Sequence, residues 1–266
     1  MKKDKLPEKT LFPIIETHCH LDYLDDESVT DTIQTSKDVG VEKILTIAVS
    51  PDNQNKVLAI AERFDNVWCT QGIHPHEAKF YDQNTEDIIL SNSHNPKVRA
   101  IGEIGLDYHY DHSPRDIQIS VFERQLQLSI DLKLPVIIHT REAESDTQGI
   151  LQNFAKNLKY GLEIHCYSSN MELAHYALNE NYYLGFNGIL TFKQAQNVRD
   201  VLKITPLQQI VLETDAPYLS PIPVRGKPNS PFYLPYVAKY MCEVLGLPPE
   251  TLLPIIYENS KRLFNL

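Results

Sequence analysis

The runs Ile44-Leu-Thr-Ile-Ala-Val49 and Pro135-Val-Ile-Ile-His139 decide how this chain folds. Both are short, apolar and rich in β-branched residues, and polar positions do not alternate through them. That is the pattern of strands buried on both faces, as in a parallel sheet. The two strands extend over Lys43–Val49 and Val136–His139, and six further runs match them: Ile14–Thr17, Val67–Gly72, Ala100–Ile104, Leu162–His165, Tyr182–Phe186 and Ile210–Glu213. Between them lie amphipathic segments of helical length, among them Ser28–Val39, Asn53–Arg63, Ile117–Leu132, Glu144–Leu158, Met171–Asn179 and Ala195–Leu202. Strand then helix, repeated, makes parallel βα units. Eight such units in about 250 residues predict an α/β chain folded as a (β/α)8 TIM barrel. Pro235–Leu245 and Pro249–Leu263 read as extra C-terminal helices. A doubly wound open sheet is the alternative. It calls for a glycine-rich turn after the first strand, and the segment there, THCHLD (17–22), is no such turn.

The rest of the chain sets bounds. Among 266 residues there is no linker, low-complexity tract or internal repeat. The expectation is therefore a short polar tail over residues 1–13 and a single barrel domain over 14–266. No stretch reaches the roughly 18 apolar residues of a membrane span. The start, MKKDKLPEK, is charged and lacks the apolar core of a secretory signal. The four cysteines are far apart and show no CxxC spacing, which fits reduced thiols in a cytoplasmic protein. Nothing marks an obligate protein partner. The formal net charge of −10 argues against binding duplex nucleic acid through a broad basic face. It leaves open a local basic patch or a phosphate substrate bridged by metal.

Barrel active sites lie at the C-terminal strand ends. The first strand ends in His18 and His20. The fourth carries Glu103 in AIGEIGLD, the fifth ends in His139, the sixth in His165, and the eighth in Glu213-Thr214-Asp215. The intervals keep barrel register: 85 residues from His18 to Glu103, 36 to His139, 26 to His165 and 50 to Asp215. Each residue alone admits a plainer role. His18 and His20 could be a polar pair at a strand end, Glu103 half of a buried ion pair, His139 and His165 hydrogen-bonded core histidines, and Asp215 a turn residue. Together they make a ligand set. Alternation puts His18 and His20 on the same inward face and turns Cys19 outward. By the same rule Cys166 faces away and is not counted. Six groups exceed one tetrahedral site and suit two divalent ions sharing a carboxylate. Nitrogen and oxygen donors admit Zn, Mn, Mg, Fe, Co or Ni.

With these motifs the chain resembles the TatD-like metal-dependent hydrolases, whose barrel is of the amidohydrolase type. The resemblance runs from about residue 14 to 264 and rests on THCHLD (17–22), GIHPHEAK (72–79), AIGEIGLDYH (100–109), PVIIHTREA (135–143), HCYSS (165–169), ETDAPYL (213–219) and VRGKPNSP (224–231). By position it implies His18, His20, Glu103, His139, His165 and Asp215 as metal ligands. It also implies a deoxyribonuclease of the 3′→5′ exonuclease type, acting on single-stranded DNA ends. Some relatives of this kind act on aminoacyl-tRNA. The chain departs from the family pattern at Ser169, where glycine is usual, and at Pro228 and Ser230, where the late loop usually carries arginine and glutamate. The expected consequences are a lost positive-φ conformation at Ser169 and a less charged rim.

The expected chemistry has Glu103 and Asp215 as catalytic groups. Two ions bridged by Glu103 hold a hydroxide that attacks phosphorus, and Asp215 accepts the water's proton. His74 in GIHPH could meet a phosphate or leaving group, or could cap the turn at Pro75. Arg141 could pair with a phosphate or with Glu142. Arg225 and Lys227 form the best local basic element, or a solvated loop. Tyr108, Tyr110, Tyr167, Phe186, Phe192 and Tyr218 fall near strand ends, where aromatics either stack bases or pack. A small-molecule amidohydrolase is disfavoured because the fourth strand offers Glu103 and no lysine. A histidinol-phosphatase-like barrel is disfavoured because Ala216 and Pro217 follow Asp215. An aminoacyl-tRNA deacylase would share the same site. A non-catalytic scaffold would need an eroded ligand set, and this set is complete.

Overall fold

In the computed structural model, which describes residues 6–266, eight parallel strands pair in chain order: β1 (Ile14–Cys19), β2 (Val41–Thr46), β3 (Val67–Gln71), β4 (Val98–Asp107), β5 (Val136–Arg141), β6 (Leu162–Ile164), β7 (Tyr183–Phe186) and β8 (Ile210–Leu212). The sheet closes just past the strand ends. Asp215 N–H donates to the His18 carbonyl at 2.9 Å, and His20 N–H donates to the Ala216 carbonyl at 2.8 Å. The (β/α)8 barrel is thus sealed by the same two segments that carry HxH and ETD.

Nine helices surround it among the described residues: α1 (Asp26–Asp38), α2 (Gln54–Arg63), α3 (Gln83–Asn92), α4 (Arg115–Leu132), α5 (Glu144–Phe154), α6 (Met171–Asn179), α7 (Gln196–Ile204), α8 (Leu234–Leu245) and α9 (Pro249–Phe264). The α8 segment takes the eighth helix position, so α9 is the addition to the repeat. It packs on β1 and β8. Its Leu263 and Phe264 join Leu45, Ala100, Ile137 and Val211 in the smaller apolar cluster that fills the barrel interior away from the strand ends. The larger apolar cluster lies between strands and helices. Near-continuous apolar strands follow from this, since both of their faces are covered.

Two expectations shift. Residues 1–5 of the expected polar tail lie outside the described residues, and residues 6–13 are held against the barrel. Pro7 is buried, and Thr10 N–H donates to the Val39 carbonyl at 3.0 Å. The fourth strand runs three residues beyond Ile104 to Asp107, which brings a second carboxylate to the mouth.

Candidate metal centre

At the strand ends, Glu103 sits at the centre of a ring of imidazoles. Its Oε1 lies 2.8 Å from His139 Nδ1, 2.8 Å from His165 Nε2 and 3.4 Å from His74 Nε2. Its Oε2 lies 3.3 Å from His18 Nε2. Asp215 Oδ1 is 3.5 Å from His20 Nε2 and 3.8 Å from His18 Nε2. The His18 and His165 rings stack with centroids 3.9 Å apart. All six residues singled out by strand-end position are therefore gathered, with His74 added.

Three overlapping groups place their donor atoms within 4.8 Å of one another: His18, His20 and Asp215; His18, Glu103 and His165; His74, Glu103 and His139. The donor chemistry fits divalent cations. Both ring nitrogens of His18, Nδ1 of His20 and Nδ1 of His165 are buried without a hydrogen-bond partner. Such orphaned polar atoms are costly, and a Lewis acid would relieve those facing the centre. Burial alone would raise the Glu103 pKa. The charges of His165, His74 and His18, with the His139 hydrogen bond, outweigh it and hold the carboxylate well below its usual range. Asp215 shows the same balance: burial opposes ionisation, the His20 contact and the His18 and His165 charges favour it, and the net direction is down. Burial pushes His74 down to about 4, so its ring stays neutral.

Beneath this ring lies a layer that sequence reasoning missed. Glu16, Glu163 and Glu213 each precede a site residue by two positions, in Glu16-Thr-His18, Glu163-Ile-His165 and Glu213-Thr-Asp215. The period of two puts each one step deeper on the same inward face. All three are fully buried. Glu16 Oε1 accepts from the N–H groups of His18 (3.1 Å) and Thr214 (2.8 Å). Glu213 Oε1 accepts from Cys166 N–H (2.8 Å) and Asn187 Nδ2 (2.9 Å). Glu163 Oε1 accepts from Thr17 Oγ1 at 3.3 Å. Gly185 makes room for the pair on β6 and β8, since a Cβ there would stand 2.5 Å from both Glu163 Oε1 and Glu213 Oε2.

Burial and the facing Glu213 charge drive the Glu163 pKa well above normal. The sign for stability follows. Above about pH 4.3 the unfolded chain releases this proton and the folded chain keeps it. Native protein then binds more protons than unfolded, so this group's contribution falls as pH rises from there through the raised folded pKa. Glu163→Gln removes the effect. In the metal-free protein, the variant is expected to lose less stability than the parent between pH 5 and 8, by up to one proton in the slope. Urea denaturation across that range measures it, and parallel slopes would disprove it.

The cavity over the ring is about 630 Å³ and is lined on one side by His76, Asp107, Tyr110 and Arg141 and on another by His20, Tyr23, Tyr218 and Leu219. Of the four residues proposed at the rim, two are placed here. His74 both faces Glu103 and caps the 3₁₀ turn at residues 75–80, its Nδ1 accepting from His76 N–H at 3.1 Å. Arg141 lines the cavity with its guanidinium 4.9 Å from the Tyr110 ring, and Glu142 pairs with His109 instead. Arg225 and Lys227 do not line the cavity. Arg225 lies 3.5 Å over the Phe192 ring, where cation–π attraction holds it. Among the aromatics, Tyr110 and Tyr218 line the cavity, while Tyr167 and Phe186 are core. Cys166 does not face away. It follows the end of β6 with φ 47°, where strand alternation no longer applies, and it lines the cavity. That residue, and not position 169, carries the positive φ of HCYSS.

The family model described as TatD related DNase matches residues 15–265. The chain belongs to the TatD-related DNase family. It is 37% identical over 256 residues to the uncharacterized metal-dependent hydrolase YabD of Bacillus subtilis (strain 168), covering 95% of this chain and 99% of that one. It is 28% identical over 241 residues to the 3′-5′ ssDNA/RNA exonuclease TatD of Salmonella typhimurium, covering 89% and 92%. The crystal structure of the TatD homolog YJJV from Escherichia coli K12 superposes with a TM-score of 0.90 at 29% identity, over 95% of this chain and 98% of that one.

As a TatD-family member, the chain is a metal-dependent hydrolase on a TIM barrel. The family's late loop also shows what its departures leave intact here. Asn229 Nδ2 donates to the Thr214 carbonyl at 2.9 Å and to the Tyr218 carbonyl. This clamps the loop against the segment that presents Asp215. Ser230, beside it, is buried and starts the 3₁₀ turn Pro231–Tyr233. Pro228 and Ser230 thus sit around a working anchor.

Proposed function

We propose that this chain is a deoxyribonuclease that removes nucleotides from 3′ ends of single-stranded DNA, using two divalent ions held by His18, His20, Glu103, His139, His165 and Asp215. One observation carries the reading: Glu103 presents Oε1 to His139 and His165 and Oε2 to His18. One carboxylate therefore joins two donor sets. When bound, the ions supply positive charge for the phosphoryl oxygens and water acidified toward neutral pH.

The chain's own groups then divide the work. Asp215, ionised and beside His18 and His20, accepts the proton of the attacking water. His74, held neutral by burial, faces the centre and donates toward the leaving oxygen. Arg141 stands exposed at the rim, where its guanidinium suits a phosphate. Tyr23, Tyr110 and Tyr218 are each about half exposed and offer ring faces on which unpaired bases stack. The acidic chain then concentrates attraction for phosphate at the centre. The relative from Salmonella typhimurium, named for action on ssDNA and RNA, supports this substrate class. We place the protein in the cytoplasm, because Cys19, Cys69, Cys166 and Cys242 are all free thiols. Among the described residues, no helix is long and apolar enough to cross a membrane.

The test is cleavage of single strands labelled at either end, beside an aminoacylated tRNA. Expected is stepwise shortening from the 3′ end, lost on chelation and restored by adding back a divalent ion. Deacylation without strand shortening would assign the site to aminoacyl-tRNA instead.

A further inference from the structure

Asp107 is buried to 1% exposure at the end of β4, four residues beyond Glu103 and on the same face. Every atom of it that can hydrogen-bond is used. Its N–H donates to Gln118 Oε1 at 2.8 Å, and its carbonyl accepts from Gln118 Nε2 at 3.1 Å. Its Oδ1 accepts from the N–H groups of His109 (3.1 Å) and Tyr110 (2.9 Å). That fixes the carboxylate plane and leaves Oδ2 aimed at two imidazoles: His139 Nε2 at 3.0 Å and His76 Nε2 at 3.1 Å. The opposite nitrogen of His139, Nδ1, points at Glu103 Oε1 at 2.8 Å.

We propose that Asp107 is a positioning residue that sets the tautomer of His139, holding its proton on Nε2 so that Nδ1 faces the centre as a free lone pair. An imidazole can donate from one nitrogen and ligate from the other, and the acceptor at the far nitrogen decides which does which. An ionised carboxylate accepts only, so Asp107 Oδ2 draws the hydrogen to Nε2 in competition with Glu103 Oε1 at Nδ1. Without Asp107, Glu103 would be the sole carboxylate in reach and would draw the hydrogen to Nδ1, blocking that atom. His76 is the second donor to Oδ2. It keeps the carboxylate from turning away and connects it to the cavity wall, where His76 meets Tyr110 and His112. The inference rests on the reading of His139 as a metal ligand, but its first consequence concerns the metal-free protein.

Asp107→Asn is the informative change. The amide keeps Oδ1 for His109 and Tyr110 and turns Oδ2 into a donor that Nε2–H cannot meet. Nitrogen NMR of the imidazoles in metal-free protein, at alkaline pH where they are neutral, reads the tautomer. Calorimetric titration with Zn²⁺ alone reads affinity. Expected are Nε2–H for His139 in the parent, Nδ1–H in the Asn variant, and zinc binding weaker by about 10- to 100-fold in the variant. His76→Ala, which leaves the acceptor in place, is expected to keep Nε2–H. Nδ1–H in the parent overturns the proposal, and so does an unchanged tautomer with zinc affinity within twofold in the Asn variant. If the Asn variant does not fold, the parent spectrum decides alone. If the parent binds no zinc, the metal reading falls while the tautomer comparison still judges this one.

Discussion

Glu103→Ala is expected to lower the hydrolytic rate by about a thousandfold or more while the barrel stays folded. The size follows from what one carboxylate does here. It faces four imidazoles from four different strand ends, so its loss leaves His139 and His165 without the carboxylate they share with His18. Charge stabilisation by a correctly held ion is worth several kcal/mol, and each 1.36 kcal/mol is a factor of ten in rate. The fold should survive because removing a desolvated carboxylate also removes its burial cost. Of the imidazoles left behind, His139 still faces Asp107 and His165 still faces Glu213. Three measurements are needed together: rate at saturating substrate, metal content and thermal unfolding. A variant within tenfold of the parent rate would sink the bridging role. A variant that unfolds at room temperature would show that Glu103 is structural.

The legible parts of the chain were those in which one short segment carries its own instruction. Parallel strands buried on both faces announce themselves as apolar runs, and barrel sites lie at their C-terminal ends, so His18, His20, Glu103, His139, His165 and Asp215 could be read one strand at a time. Helix α3 was harder. Its sequence, QNTEDIILSN, is mostly polar and only Thr85, Glu86 and Ile89 are buried. The extension of β4 was obscured by Gly102 and Gly105, since glycine weakens a strand signal. Asp107 and the glutamates Glu16, Glu163 and Glu213 share a different obstacle. Their even spacing from site positions, two for the glutamates and four for Asp107, is visible, but their partners are remote: the bond from Thr214 N–H to Glu16 spans 198 positions. A buried carboxylate declares itself only when the groups that satisfy it are known. Arg225 shows the opposite difficulty. A basic loop suggested phosphate, and the tertiary neighbour Phe192 claimed the guanidinium.

The net charge reads differently once the centre is built. A chain at −10 with buried carboxylates under its active site has no general attraction for nucleic acid. Its low-lying acids, Glu103 and Asp215, and its raised ones, Glu16 and Glu163, sit in adjacent layers. The upper pair is ionised by facing imidazoles, and one step deeper Glu16 and Glu163 are kept protonated by burial. That arrangement puts negative charge at the imidazole ring and withholds it at those two deeper positions. On the proposed function, phosphate recognition would then fall to the centre and to Arg141, not to the surface.

Asp215→Asn is expected to cut the rate by about 10²- to 10⁴-fold, the usual worth of a positioned proton acceptor, with substrate affinity little changed. The substitution suits the backbone. Asp215 sits at φ 58° in the left-handed region, which asparagine tolerates as readily as aspartate. The closure bonds are main-chain and persist: Asp215 N–H to His18 carbonyl at 2.9 Å and Tyr218 N–H to Asp215 carbonyl at 2.8 Å. What changes is a carboxylate oxygen 3.5 Å from His20 Nε2, replaced by an amide that accepts no proton from water. The pH profile separates this from a loss of ligation. In the parent, the His20 contact and neighbouring positive charge hold Asp215 below its ordinary range against the pull of burial. It is therefore ionised through neutrality, and activity should fall on acidification only as that depressed pKa is approached. The variant should lose this acid limb while keeping its metal content. Retention of both the parent rate and its acid limb would remove Asp215 from the proton-transfer step. Loss of metal with the rate would make it a ligand alone.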